Sequence, residues 1–450
     1  MDKTDYKGLW FAPEKPGEAV PGLLHFEKSG RITLDLQGTL TDHECARPQS
    51  LPLILGTSIE GAMFTLYGCI QTNVSGGIEG VRETSFHILG VLKGSHFSSP
   101  ESIVFGRLDA TFPQLDWWVG NSGVKIDHPD KETIVITKQS SFLESVNLPN
   151  MRLSLGFSYT DHFAMDEISV KHVPFISIEL THEIQLKKLL DLLYQLCNFF
   201  ALAVSQPVYP ESIDGFTEAA KVTIVGKSHR RPIEIIYEGV NYGVPLDPVN
   251  MRSMLFELRT IRSQFANLLQ KWFEKSELLR PVYDLYFGTL YNPHMFLQQK
   301  FLSLVQAVES YHRRVFDGHE SSPEQHKTRI QDIINVTPEE HKSWLQNELA
   351  DSNDPSLRSR LQELVTKYSF LGFDEEFVDN VRNARNYLTH FDENKKRYAE
   401  PDKLFTYIRK IRALIECILL TESGLEITRV EAIMTPIEKR RTEEFRIYDF

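Results

Sequence analysis

The hydrophobic period of this chain changes once, near residue 182, and that change limits what the chain can fold into. Before it, apolar residues alternate with polar ones over short runs. Beyond it, they recur at three- and four-residue intervals. A period of two buries one face of a strand and a period of 3.6 buries one face of a helix, so the two halves require different architectures. Leu23-Leu24-His25-Phe26 and Ile32-Thr33-Leu34-Asp35-Leu36, separated by Ser29-Gly30-Arg31, read as strand, turn, strand. Similar runs at 53–55, 62–67, 85–92, 103–110, 133–138 and 152–159 are punctuated by Gly, Asn, Ser and Pro. Short strands at regular intervals predict an antiparallel sandwich or barrel.

Residues 183–204 carry Leu and Phe at helical spacing and stop before Gln206-Pro207. A short β-like interval, 221–240, follows. From Pro248 the pattern is nearly all helical. Phe301, Leu304, Val305, Val308, Val315 and Phe316 form one stripe, and 356–368, 374–391 and 402–420 read as further helices with loops at 317–323 and 351–355. At 450 residues the chain has room for two or three domains. The expected class is α+β and multidomain: a β-rich sandwich or barrel-like region over 1–180, a mixed, mainly helical middle over 181–289, and an all-α bundle over 290–450.

Charge and composition narrow the function. A net charge of −12 argues against a chain coated in basic residues for non-specific nucleic-acid binding, but leaves room for a local basic site. Cys45, Cys69, Cys197 and Cys417 form no CxxC pair, so neither a disulfide framework nor a zinc cluster is expected, and a reducing cytosol is the simplest setting. Met1-Asp2-Lys3-Thr4-Asp5 has no signal-peptide character. The apolar stretches at 189–204 and 411–420 carry polar interruptions and read as buried helices, so no membrane partner is expected. His25, His43, His87 and His96 lack metal-ligand spacing, and Ser75-Gly76-Gly77 is a turn rather than a phosphate loop, so no metal and no cofactor is expected. Trp117-Trp118 reads as packing first and as a stacking surface second.

The segment richest in chemistry is Val381-Arg382-Asn383-Ala384-Arg385-Asn386-Tyr387-Leu388-Thr389-His390-Phe391. An arginine five positions before a histidine is weak evidence alone: random placement of 25 Arg and 15 His gives about 0.8 such pairs. Three occur, Arg82/His87, Arg314/His319 and Arg385/His390. The first lies in a strand-like run and the second straddles Gly318 at a helix end, whereas the third sits on one amphipathic helix. At about 100° per residue, Phe377, Val381, Ala384, Leu388 and Phe391 share the expected core face. Arg382, Asn386 and His390 form an i, i+4, i+8 ladder opposite, flanked by Arg385 and Thr389. Arg385 and His390 lie about 140° apart around the axis and about 7.5 Å along it. A phosphodiester lying across that face touches both. Lys395-Lys396-Arg397 follows at once and suits a nucleic-acid backbone. A plain solvated helix face is the competing reading, weakened by the Arg, Asn, Thr and His mixture. Glu309 and His312 read equally as supports of this site and as salt-bridging or capping residues.

At these residues the chain resembles the HEPN-domain ribonucleases, whose motif is an arginine, a polar residue, a few variable positions and a histidine on a late helix of a bundle. Arg385, Asn386 and His390 match it position by position, and Val308-Glu309-Ser310-Tyr311-His312-Arg313 is similar to the first long helix of such domains. The resemblance covers about 290–440. Tyr6-Lys7-Gly8-Leu9-Trp10, Pro21-Gly22-Leu23-Leu24, Gly30-Arg31-Ile32-Thr33-Leu34 and Asn198-Phe199-Phe200-Ala201-Leu202 resemble the N-terminal region of ApeA-type anti-phage proteins.

The resemblance implies a metal-independent endoribonuclease of bacterial abortive-infection defence, residing in the cytoplasm. Its catalytic residues would be Arg385, Asn386 and His390; apart from the family motif, which does not require them, Arg382, Lys395, Lys396 and Arg397 read from their charge as contacts to the RNA. It further implies a homodimer or higher oligomer that shares a composite site, an RNA substrate such as tRNA, and a phage-derived trigger sensed by the N-terminal region. The alternative is a non-catalytic HEPN module that binds RNA or dimerises within a toxin–antitoxin-like or signalling assembly.

Overall fold

The alternating strands at the start of the chain close on themselves. In the computed structural model, which describes residues 5–40, 50–75, 82–120, 123–139, 142–224, 227–316, 322–350 and 352–447, the chain divides into two compact units. Unit 1 holds Met1–Val204 and Val208–Ala266, and unit 2 holds Ser205–Pro207 and Asn267–Phe450.

Unit 1 opens with β1 (Asp5–Phe11), β2 (Val20–Phe26), β3 (Ile32–Leu36), β4 (Ser50–Ser58), β5 (Met63–Ser75) and β6 (Glu83–Lys93). They pair antiparallel in the ring β1–β2–β3–β6–β5–β4–β1, a six-strand barrel. Closure leaves no open edge in the ring, which removes the exposed ladder that invites aggregation. Trp10, Leu24, Phe26, Leu34, Phe64 and Phe86 fill the interior. Trp10 sets one local requirement: a Cβ added at Gly56 would lie 2.1 Å from its ring, so the facing strand needs glycine there.

The chain continues through β7 (Val104–Thr111), α1 (Asp116–Val119), the hairpin β8 (Val124–Asp127) and β9 (Val135–Lys138), then β10 (Phe142–Leu148), β11 (Met151–Phe163) and β12 (Ile168–Gln185). After α2 (Leu186–Val204) come β13 (Ser212–Phe216), the hairpin β14 (Lys221–Ile224) and β15 (Lys227–Arg230), β16 (Ile233–Tyr237) and α3 (Leu258–Ile261). Strand β6 serves two neighbours along one edge: Thr84–His87 pair with β3 and Gly90–Lys93 with β16. The barrel thereby opens into a sheet ordered β10-β11-β12-β7-β13-β16-β6. The helix expected from 183 begins at Leu186, because Ile184 and Gln185 still pair with Phe105 and Val104 of β7. The Trp117-Trp118 pair divides: Trp118 is buried with its ring 5.0 Å from Phe200, whereas Trp117 is exposed.

Unit 2 is helical: α4 (Phe265–Glu274), α5 (Ser276–Tyr291), α6 (Leu297–Val315), α7 (Pro323–Val336), α8 (Glu339–Glu348), α9 (Leu357–Lys367), α10 (Glu375–His390), α11 (Pro401–Glu422) and α12 (Ile427–Ile447). The stripe of α6 buries Phe301, Leu304, Val305 and Val308 as expected, but Val315 and Phe316 are half-buried, since the backbone turns extended at Phe316. Helix α11 is buried on every side from Ala413 to Leu420, the mark of a helix wrapped by others. No helix among the described residues is long and apolar enough to cross a membrane.

One residue of that buried run is charged. Glu416 is fully buried and accepts from Arg412 Nε at 2.9 Å, Arg441 Nη1 at 2.6 Å and Tyr286 Oη at 3.0 Å. Ser205 joins the cluster through Arg412 Nη2, 2.7 Å from its hydroxyl. Burial raises the Glu416 pKa, but Arg441 and Arg412 outweigh it and hold the carboxyl at about 2, below its ordinary 4.5. A depressed carboxylate stabilises the fold above the unfolded pKa and loses that contribution as protonation sets in. Glu416→Ala leaves two arginines facing an empty acceptor, and the expected cost is roughly 3–5 kcal/mol in denaturant unfolding. In the wild type the stabilisation from Glu416 declines as pH falls from 4.5 towards about 2, which melting curves over that window measure against a Glu416→Gln control.

Candidate functional site

Helix α10 begins where its sequence provides a cap. Asp374 accepts from the Phe377 N–H at 2.8 Å, and Glu375 and Glu376 in the first turn face the positive end of the helix dipole. Phe377, Val378, Val381 and Ala384 are buried, packed against α6, α9 and α11. Leu388 is half-buried and Phe391 is 69% exposed, so the expected core face ends a turn early. The physical reason is the backbone: Phe391 takes φ 53° and ψ 38°, the left-handed conformation that ends a helix, and its N–H closes onto Tyr387 O at 2.6 Å. Glycine usually occupies such a position, and a side chain there costs about 1–2 kcal/mol.

The polar side of α10 carries the motif. Arg385 and Asn386 are half-buried and His390 is exposed. The Arg385 guanidinium stands 3.9 Å from Glu309 of α6, a loose ion pair that aims the arginine without consuming its donors. Thr389 donates to the Arg385 carbonyl at 2.8 Å. No side-chain hydrogen bond or ion pair to a described residue holds Asn386 or His390. Arg382 turns back to Asp379 at 3.5 Å, which Arg358 also contacts at 2.9 Å.

Glu309 and His312, one turn apart on α6, point to different tasks. His312 is fully buried, with Nε2 2.7 Å from Glu363, Nδ1 3.4 Å from Arg360 and its ring stacked on Phe316 at 4.6 Å. It ties α6 to α9. Glu363 and Arg360 are not legible as neighbours of the site from sequence, whereas Phe391 is legible within the motif segment but reads as part of the core face. Residues 393–398 form a 3-10 turn in which Lys395 pairs with Asp392 at 3.5 Å, Lys396 with Glu393 at 3.3 Å, and the Arg397 guanidinium lies 4.9 Å from the Tyr398 ring centre.

Of the other two arginine–histidine spacings, the first does not share an element. Arg82 precedes β6, and His87 within it pairs with Glu238 at 2.9 Å. Arg314 donates to the Leu278 carbonyl at 3.2 Å, and His319 lies outside the described residues, as do His43, Cys45, Gly76 and Gly77.

Unit 1 has a concavity of its own. A groove of about 840 Å³ crosses the outer face of the barrel, bordered by Lys7, Leu9, Leu23, Asp35 and Ile59. His25 sits between Asp5 at 2.8 Å and Asp35 at 3.5 Å, and Ser85 donates to Asp35 at 2.6 Å, a polar ladder over β1, β2, β3 and β6.

Two family models match the chain. The model described as ApeA N-terminal domain 1 covers residues 5–272, and the one described as Apea-like HEPN covers residues 302–428. The chain belongs to the ApeA family. The ApeA architecture, a β-rich N-terminal region with a six-strand barrel and a C-terminal HEPN helical domain, carries a HEPN nuclease-type role in anti-phage defence. HEPN domains act on RNA and dimerise, and RNase activity in general follows for this ApeA chain. No curated protein and no solved structure matches it.

The contrast between Glu309 and His312 is measurable. His312→Ala strips a buried partner from Arg360 and Glu363 and is expected to lower stability by about 2–3 kcal/mol. Glu309→Gln, which removes only a half-exposed ion pair, is expected to cost under about 1 kcal/mol. Urea unfolding followed by circular dichroism compares the two; equal costs contradict the division of roles.

Proposed function

We propose that this ApeA protein is a metal-independent endoribonuclease whose cleavage site is the polar face of α10, and that cleavage arrests phage infection once unit 1 senses a trigger. The observation that supports the reading best is the grouping of Arg385, Asn386 and His390 on one helix face, with His390 exposed and Arg385 steered by Glu309 across 3.9 Å.

RNA carries its own nucleophile. The 2′-oxygen forms a bond to phosphorus while the bond from phosphorus to the 5′-oxygen breaks, leaving a 2′,3′-cyclic phosphate and a 5′-hydroxyl. One proton leaves the 2′-hydroxyl and one arrives at the 5′-oxygen. His390 performs one of those transfers, since imidazole is matched to neutral pH. Arg385 binds the phosphate oxygens and stabilises the charge that grows on them. Asn386 orients the histidine or the phosphate. Arg382 and the Lys395, Lys396 and Arg397 turn hold the flanking backbone, which requires the present ion pairs of Arg382, Lys395 and Lys396 to be exchanged for phosphate.

One helix supplies one histidine, and two proton transfers are needed. A second copy of the chain completes the site, with its own α10 facing the first across a two-fold axis. The loose environment of His390 suits a residue whose partners arrive with substrate and second copy. Transfer RNA is a suitable substrate for such a site. The outer groove of the barrel is the surface of unit 1 offered for the trigger.

His390→Ala and Arg385→Ala are expected to abolish RNA cleavage and phage protection with the fold intact. Sequencing of RNA ends from cells expressing wild type and each variant, with circular dichroism on the purified proteins, checks both. Cleavage that persists undiminished in His390→Ala rejects the mechanism, and protection that persists in both variants favours a non-catalytic module.

A further inference from the structure

Three non-glycine residues take positive φ among the described residues: Asn150, Ser205 and Phe391. Two have evident reasons. Asn150 turns the hairpin between β10 and β11, and asparagine tolerates that conformation. Ser205 is gripped by Arg412 and Arg441 around buried Glu416. Phe391 takes positive φ as the left-handed cap that ends α10, a place that glycine fills without strain. It is a bulky side chain in a strained backbone conformation, 69% exposed, at a position where glycine would relax the chain. Burial does not hold it there. Its described ring contact is with Tyr387, centroids 5.8 Å apart and planes 67° apart, which leaves ring surface open to solvent.

Strain of this kind gathers at functional sites. Phe391 follows His390 directly, so the two Cα atoms are about 3.8 Å apart. An exposed aromatic ring next to a residue that handles a phosphodiester suits single-stranded nucleic acid: charge takes the backbone and the ring takes the base. In sequence His390 precedes the phenylalanine and Asp392, Glu393, Lys395 and Lys396 follow it.

We propose that Phe391 is a stacking platform for an unpaired nucleobase flanking the phosphodiester that Arg385 and His390 act on. The inference rests on the reading of those two residues as the cleavage site. It makes the substrate single-stranded or looped RNA, because a base held in a duplex cannot turn onto the ring. Phe391 is thus a positioning residue: it sets where along the strand the scissile phosphate rests.

Stability and activity are expected to move in opposite directions. Phe391→Gly relieves the backbone and should leave the melting temperature unchanged or raised. The same variant should lose about 5- to 150-fold in kcat/KM on a single-stranded oligoribonucleotide, the range that one base stack supplies. Phe391→Trp should keep most of the activity. On an oligoribonucleotide made abasic on each side of the cleaved bond in turn, one of the two should be cut equally by wild type and Phe391→Gly. In the His390→Ala background, RNA carrying 2-aminopurine at that position should be quenched on binding, and less so once Phe391→Gly is added.

Several results would overturn this. One is wild-type kcat/KM in Phe391→Gly. Another is an equal loss on intact RNA and on both abasic RNAs. A third is a loss that tracks a change of sedimentation coefficient, which would assign the ring to a contact between copies. Cleavage that is independent of His390 sinks the underlying reading, and this inference with it; His390-dependent cleavage indifferent to Phe391 sinks this inference alone.

Discussion

Helix α11 is apolar around its whole circumference from Ala413 to Leu420, except for Glu416, and unit 2 is organised by the need to cover it. A helix without a polar face has to be wrapped by others. Glu416 makes the wrapping directional. A buried carboxylate is tolerable only with its charge answered, and Arg412, Arg441, Tyr286 and Ser205 answer it from defined places. That ionic cluster fixes α5, α11 and α12 in one register.

The placement of α10 follows from that frame. Its apolar stripe, Phe377 to Ala384, docks on α6, α9 and α11, and everything polar on it is left outward. His312, buried between Glu363 and Arg360, locks α6 to α9 on the flank where α10 rests. With α6 so held, Glu309 reaches Arg385. Rigid helices thus position an arginine, an amide and a histidine whose own side chains remain lightly tethered. That combination suits a site completed by substrate and by a second copy.

Much of this was legible in the sequence, for local reasons. Period-two runs became β2 to β7 because alternation needs only the neighbouring strand's sidedness, and the stripe of α6 was visible because helix periodicity is intrinsic to the segment. The core face of α10 ends short of Phe391. The period places that residue inward, but the backbone has left the helix by then, and a left-handed cap at a phenylalanine is not a local preference. Helix α2 starts three residues later than its periodicity implies, for the opposite reason. Ile184 and Gln185 stay in the sheet through pairing with β7, some eighty residues distant, and that long-range ladder overrides local helical pattern.

By itself the sequence determined the two periodicities, the amphipathic helix and the arginine–asparagine–histidine set upon it, because spacing along a chain dictates which residues share a face. The tertiary structure alone decided that six strands close into a barrel with β6 shared by an open sheet, that Glu309 meets Arg385 while His312 is walled in, and that Phe391 stands in solvent beside His390. Those outcomes depend on pairings between residues dozens to hundreds of positions apart, and on one backbone torsion whose cost no local pattern announces.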